Sequence, residues 1–328
     1  MRVLRSSWRV WLRKGLILLI LGFLLLNILA WQQAWAMTHY TDAGAPPPTI
    51  EALNLQAKVR AALFGITIAR PQNVYTPRDI GLEYNVRQVE IAAGGALEVW
   101  VIDHSSPHGV VLLFPGYASS KDSLLSPAVA FHKLGYATML VDFRGVGGST
   151  GSDTTLGARE ADDVAVAYAA AEKNWPGEPV IVYGVSMGSA AILHAIATKD
   201  IQLSAVILES PFDRLLGTVS ARFHAFGVPA IPAAQLLVFW GGVQHGHNGF
   251  AFNPVDDARS VHCPTLVLHG EQDARATTAQ ATAVFEQLRG KKAFVEFPNA
   301  GHELLIVTSP VTWQQAMVPF LSQLPSRR

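Results

Sequence analysis

From Val110 onward, short wholly apolar runs return at intervals: Val110–Phe114, Tyr136–Val141, Pro179–Tyr183, Ala205–Leu208 and Pro264–His269. Runs this short and this apolar suit strands covered on both faces. Helical patterns separate them, at Leu124–Leu134, Ala158–Ala171, Met187–Thr198 and Thr277–Leu288. Strands alternating with helices predict an α/β fold with a mostly parallel central sheet and helices on both faces. Ahead of them, Val89-Glu90-Ile91 and Leu97-Glu98-Val99 alternate around Gly94-Gly95, which predicts a hairpin at an antiparallel edge. The folded domain is expected over residues 88–326, with no internal repeat. One stretch breaks the rhythm: residues 211–260 lie between two strands and carry Phe212, Phe223, Phe226 and the run Leu236–Trp240. An insertion of that size is expected to fold as a lid.

Twenty-five Lys and Arg balance twenty-five Asp and Glu, which excludes a nucleic-acid binder working through bulk positive charge. Half the residues are hydrophobic and 15% are charged, so the chain is not disordered. A single cysteine, Cys263, excludes an intramolecular disulfide and a thiolate zinc cluster.

The charge is unevenly placed. Arg2, Arg5, Arg9, Arg13 and Lys14 precede the first acid, Asp42, and the run Leu16–Ala30 is apolar except for Gly22 and Asn27. Residues 1–36 therefore read as a signal peptide or a signal anchor. Trp8 and Trp11 before the run, and Trp31 and Trp35 after it, resemble the aromatic belt of a retained transmembrane helix. Ala34-Trp35-Ala36 resembles a cleavage site. Five unpaired cations beside a Leu-rich run suit a membrane far better than a buried helix of a soluble protein. Either way the basic flank stays in the cytoplasm, and the rest of the chain is delivered to the non-cytoplasmic side. Residues 37–87 read as linker and extended lead-in, with three prolines at Pro46–Pro48 and room for a short helix over Glu51–Phe64.

Gly184-Val185-Ser186-Met187-Gly188 is a G-x-S-x-G between a strand and a helix. A serine at that junction sits on a tight turn above the sheet edge, at a helix N-terminus that favours negative charge. A serine hydroxyl becomes a good nucleophile only when a base takes its proton. The partners should follow as an acid and then a histidine, each in a loop after a strand. Asp273 follows the strand ending at Gly270, and Glu209, directly after Leu208, is the rival acid. His302, flanked by Gly301 in a late loop, is the base; His269 at a strand end reads as structural. The loop Phe114-Pro115-Gly116-Tyr117 should supply one oxyanion donor, the Tyr117 N–H, and the Met187 N–H the second.

With these stretches in place, the chain resembles the α/β-hydrolase superfamily, in particular its serine aminopeptidase-like and lysophospholipase-like branch. The matching residues are Phe114–Ser123, Asp142–Ser149, the Ser186 turn, Gly270-Glu271-Gln272-Asp273 and Gly301-His302. The resemblance implies a Ser186–His302–Asp273 triad, with Tyr117 and Met187 at the oxyanion hole. Pro115 stands where relatives often carry His; the donor is a backbone N–H, so the hole survives this change.

Three further features carry blander readings. Gly145-Val146-Gly147-Gly148 is a turn and opens no dinucleotide fingerprint. Glu160, Asp162 and Asp163 fit the first turn of a helix. His245-Gly246-His247, with no carboxylate beside it, reads as a loop tip and no metal site.

The expected function is hydrolysis of a carboxylic ester or related acyl compound, small or lipid-like, without cofactor or metal. The alternatives are amide or peptide hydrolysis or acyl transfer on the same residues, and a non-catalytic membrane-tethered binding module.

Overall fold

A computed structural model describes residues 3–42, 67–92, 94–225 and 229–324, with isolated positions between them. The proline linker, most of Glu51–Phe64 and Phe226 lie outside the described residues.

The chain begins with α1 (Val3–Thr38). Two short strands, β1 (Tyr40–Thr41) and β2 (Ile68–Ala69), then pair in parallel. The main sheet has eight strands: β3 (Asn85–Glu90), β4 (Ala96–Ile102), β5 (Val110–Phe114), β6 (Ala137–Val141), β7 (Val180–Val185), β8 (Ala205–Glu209), β9 (Thr265–Gly270) and β10 (Lys292–Phe297). Their spatial order is β10-β9-β8-β7-β5-β6-β4-β3. β3 and β4 form the antiparallel hairpin, and β4 also runs antiparallel to β6, while β6, β5, β7, β8, β9 and β10 are mutually parallel.

The apolar runs are apolar because both faces are covered. On β5, Val110, Leu112 and Phe114 enter one core cluster, with residues of α3 (Glu160–Asn174), α4 (Met187–Thr198) and α7 (Thr278–Gln287). Val111 and Leu113, offset by one residue, enter the other, with α2 (Leu125–Lys133) and α8 (Pro310–Ser322). Successive strand side chains point to opposite faces, so one pentapeptide feeds both layers.

The 211–260 insertion contains α5 (Leu215–Ala225) and α6 (Ala233–His245). Phe212, Leu215, Val219, Ala234 and Val238 form a third apolar cluster with Ala190 of α4 and Ala276. Phe239 lies outside this cluster and is 47% exposed.

α1 is long and apolar enough to cross a membrane. Eighteen consecutive residues, Trp8–Leu25, are all exposed. At 1.5 Å per residue they span about 27 Å, close to the ~30 Å of a bilayer's hydrocarbon core. Beyond them the helix joins the domain: Ala30, Ala34 and Thr38 are buried. Trp240 Nε1 donates to Asn27 Oδ1 at 3.1 Å, and Gln244 Nε2 donates to the Trp31 carbonyl at 2.9 Å. The backbone after the helix is tied in as well, with Tyr40 N–H on the Ser152 carbonyl at 2.7 Å and Thr154 N–H on the Thr38 carbonyl at 2.8 Å.

Candidate active site

The sheet brings the ends of β7 and β9, and the loop after β10, to one edge. Ser186 sits between β7 and α4 with φ +52° and ψ −108°, a conformation costly for any residue with a side chain. The flanking glycines follow from sterics. A Cβ on Gly184 would lie 2.6 Å from the Gly188 carbonyl carbon, and one on Gly188 would lie 2.4 Å from the Phe114 carbonyl oxygen. The turn is held from behind: Ser186 N–H donates to the Glu209 carbonyl at 2.8 Å, and Ser189 Oγ donates to the Gly184 carbonyl at 2.6 Å.

His302 lies in the loop after β10, with Nε2 3.0 Å from Ser186 Oγ and Nδ1 2.7 Å from Asp273 Oδ2. The other Asp273 oxygen accepts the Arg275 and Ala276 N–H groups at 2.8 and 2.9 Å. Burial works against charge on Asp273, but the bond to His302, its charge and the two N–H groups prevail, so the carboxyl titrates below its ordinary value. An ionised Asp273 can only accept, so the imidazole donates through Nδ1 and leaves Nε2 to accept from the serine hydroxyl. His269, one strand turn before Asp273, is fully buried, and burial lowers its pKa.

Glu209, the rival acid, points elsewhere. It is fully buried, accepts the Tyr183 hydroxyl, and accepts the Leu305 N–H at 2.8 Å. It therefore braces the segment three residues beyond His302. Burial raises its pKa to about 7, against the Tyr183 and Leu305 bonds that lower it. The sign follows directly. A folded carboxyl that keeps its proton to about pH 7 makes the native state bind more protons than the unfolded one, so stability falls as pH rises from about 4.5 through 7. The effect is on the order of 3 kcal/mol. Asp163, raised to about 6 chiefly by burial, adds to the same slope. Urea unfolding at pH 5 and pH 8 should give a smaller difference for Glu209→Gln than for the wild type; an equal difference would remove Glu209 as a source.

Tyr117 and Met187 flank the nucleophile. Met187 opens α4, where the first N–H groups have no intrahelical acceptor. A Cβ on Gly116 would lie 3.7 Å from Ser186 Cβ, an ordinary contact that leaves the loop close to the nucleophile. The Tyr117 hydroxyl donates to the Met37 carbonyl at the end of α1.

The loop carrying Tyr117 is anchored by residues that sequence reasoning matched but gave no role. Lys121 is fully buried, with Nζ on Asp142 Oδ2, 2.7 Å from Glu98 Oε1 and 4.4 Å above the Trp100 ring. Its own N–H donates to Asp142 Oδ1 at 2.8 Å, and Gly148 N–H donates to Asp142 Oδ2 at 3.0 Å. A Cβ on Gly147 would strike that carboxylate at 1.9 Å, which accounts for the glycine turn. Glu160 and Asp163 do more than favour a helix terminus: Glu160 accepts Thr155 and Gly157 N–H at 3.0 and 2.9 Å, and Asp163 chelates Arg144.

His245-Gly246-His247 is not a solvated tip. The His245 side chain is 3% exposed and sits 3.3 Å from Asp153, with His39 stacked beside it. The three residues bring possible ligand atoms within 4.8 Å of one another. Asp153 also pairs with Arg159 at 2.5 Å, so these contacts join the segment after α1, the loop before α3 and the end of α6.

The architecture is similar to that of known proteins. The family described as serine aminopeptidase, S33, matches residues 105–236. An uncharacterized protein of Mycobacterium tuberculosis is 26% identical over 216 residues, covering 65% of this chain and 70% of that one. The lysophosphatidylserine lipase ABHD12 of Macaca fascicularis is 24% identical over 193 residues, 55% of this chain and 46% of the lipase. The Pyrococcus furiosus esterase Pf2001 superposes with a TM-score of 0.65 over 79% of this chain and 99% of that one, at 22% identity. The chain has the α/β-hydrolase fold.

Proposed function

We propose that this α/β-hydrolase is a membrane-anchored serine hydrolase that cleaves a carboxylic ester or closely related acyl compound. The continuous hydrogen-bonded path from Ser186 Oγ through His302 to Asp273, at 3.0 and 2.7 Å, carries the reading. Ser186 attacks the acyl carbonyl while His302 Nε2 takes its proton. The Tyr117 and Met187 N–H groups receive the oxyanion, each contributing ~2.7–4 kcal/mol to the transition state. His302 then returns the proton to the leaving group, and water resolves the acyl-enzyme by the same base. Asp273 fixes the imidazole tautomer throughout. The esterase and lipase names of the relatives support hydrolysis of an ester with an apolar acyl part. No metal or cofactor enters these steps. The direct test is hydrolysis of p-nitrophenyl esters by the purified full-length chain; inactivity on esters with turnover of amides would move the reading to amide hydrolysis.

The leader is read as a retained anchor with the catalytic domain outside the cytoplasm. Cleavage after Ala36 would remove Asn27, Trp31 and Ala34 from their contacts on α6 and leave the Trp240 ring, now 5.2 Å from Trp31, without its cover. N-terminal sequencing of the protein from membranes should therefore start before Trp8. A mature chain beginning at Met37 would overturn the retained anchor.

A further inference from the structure

Where α1 leaves its exposed stretch it meets the inserted helices, and a cavity lies in the seam. Ala34 and Met37 of α1, Leu215 and Val219 of α5, and Leu237 and Val238 of α6 line it. Gly241 and Gly242 of α6 also line it. The cavity measures about 40 Å³.

Two short chains of contacts link the lining of this cavity to residues beside the nucleophile. On one side the Met37 carbonyl holds the Tyr117 hydroxyl, and Tyr117 follows Gly116, which packs against Ser186. On the other, Thr155 and Leu156 line the cavity, and the neighbouring Thr154 Oγ1 lies 3.6 Å from Met187 Sδ. At its far end α1 continues directly into the exposed, membrane-length stretch ending at Leu25.

We propose that the membrane helix is itself a wall of the acyl pocket, with the acyl chain of the ester held between α1 and the α5–α6 pair, and that Ala34 and Met37 set the chain length accepted. This rests on the serine-hydrolase reading above. A cavity of about 40 Å³ exceeds one water's share of the liquid by little, so the chain enters as α6 moves away from α1. Opening the seam stretches the bonds from Trp240 to Asn27 and from Gln244 to Trp31 and parts the Trp31–Trp240 ring contact, while the His245–Asp153 contact holds the last turn of α6.

The test is chain-length selectivity in the full-length protein in nanodiscs, read as the ratio of kcat/KM for p-nitrophenyl octanoate to that for the acetate. Ala34→Leu fills the cavity and should lower this ratio at least about tenfold, equivalent to fewer than two buried methylenes. Met37→Ala widens the cavity, keeps the backbone carbonyl that holds Tyr117, and should raise the ratio. A merely structural seam would change both esters together. Wild-type ratios in both variants would overturn the proposal, and if Ala34→Leu does not fold, an unchanged ratio in Met37→Ala alone does so. If the wild type hydrolyses no ester and takes up no fluorophosphonate, the serine-hydrolase reading fails and the pocket assignment fails with it.

Discussion

Ser186→Ala is expected to abolish ester hydrolysis, with a loss in kcat on the order of 10⁶, as for removal of a serine nucleophile elsewhere. The size of the effect follows from chemistry rather than from stability. The substitution removes the hydroxyl placed 3.0 Å from His302 Nε2, and with it the group that forms the acyl-enzyme. What remains is binding and oxyanion stabilisation, which elsewhere leave 10³–10⁴-fold catalysis over water. The fold should be little affected. Alanine meets the same backbone strain at φ +52° that serine does, and the Ser186 N–H bond to Glu209 persists. A thermal midpoint within a few degrees of wild type, together with lost turnover in a p-nitrophenyl ester assay, is the expected pair of results. Retained turnover would require a different nucleophile.

Asp273→Asn should lower kcat on the order of 10⁴. An asparagine in that place presents either its N–H₂ or its carbonyl to His302 Nδ1. The Arg275 and Ala276 N–H groups already demand an acceptor on the opposite atom, so the amide nitrogen turns toward His302. Nδ1 must then accept, the proton moves to Nε2, and the base is lost. Glu209→Gln should cost far less, since its bonds run to Tyr183 and Leu305 and not to the imidazole. Steady-state kinetics on the two variants side by side check the assignment; the reverse order of losses would exchange the roles of the two acids.

The parts of this molecule legible in its sequence are those with local signatures. Buried parallel strands declare themselves as apolar runs because both faces need covering. Ser186, Asp273 and His302 could be named because each follows a strand, so topology alone carries them to one edge of the sheet. The G-x-S-x-G spacing also reports sterics, since the Phe114 carbonyl leaves no room for a side chain on Gly188. What stayed hidden depends on contacts between residues far apart in the chain. Lys121 lies in a matched stretch with no evident role until Asp142 and Glu98 are brought around it. His245 reads as a loop tip because its carboxylate partner, Asp153, lies 92 positions earlier in the chain. The Tyr40–Thr41 strand pairs with Ile68–Ala69, and two-residue strands have no period to detect. The largest omission was the end of α1. Read alone it is a leader; only the small and aromatic residues it shares with α6 show it to be part of the folded domain.

The central claim is that Ser186 is an activated nucleophile in a working site. Incubating the full-length wild-type protein with a fluorophosphonate, digesting it and mapping the adduct by mass spectrometry tests this most directly. A stoichiometric adduct on Ser186, lost in Ser186→Ala and strongly slowed in Asp273→Asn, is the predicted result. An unlabelled Ser186, or an adduct on another residue at wild-type rate, would contradict it.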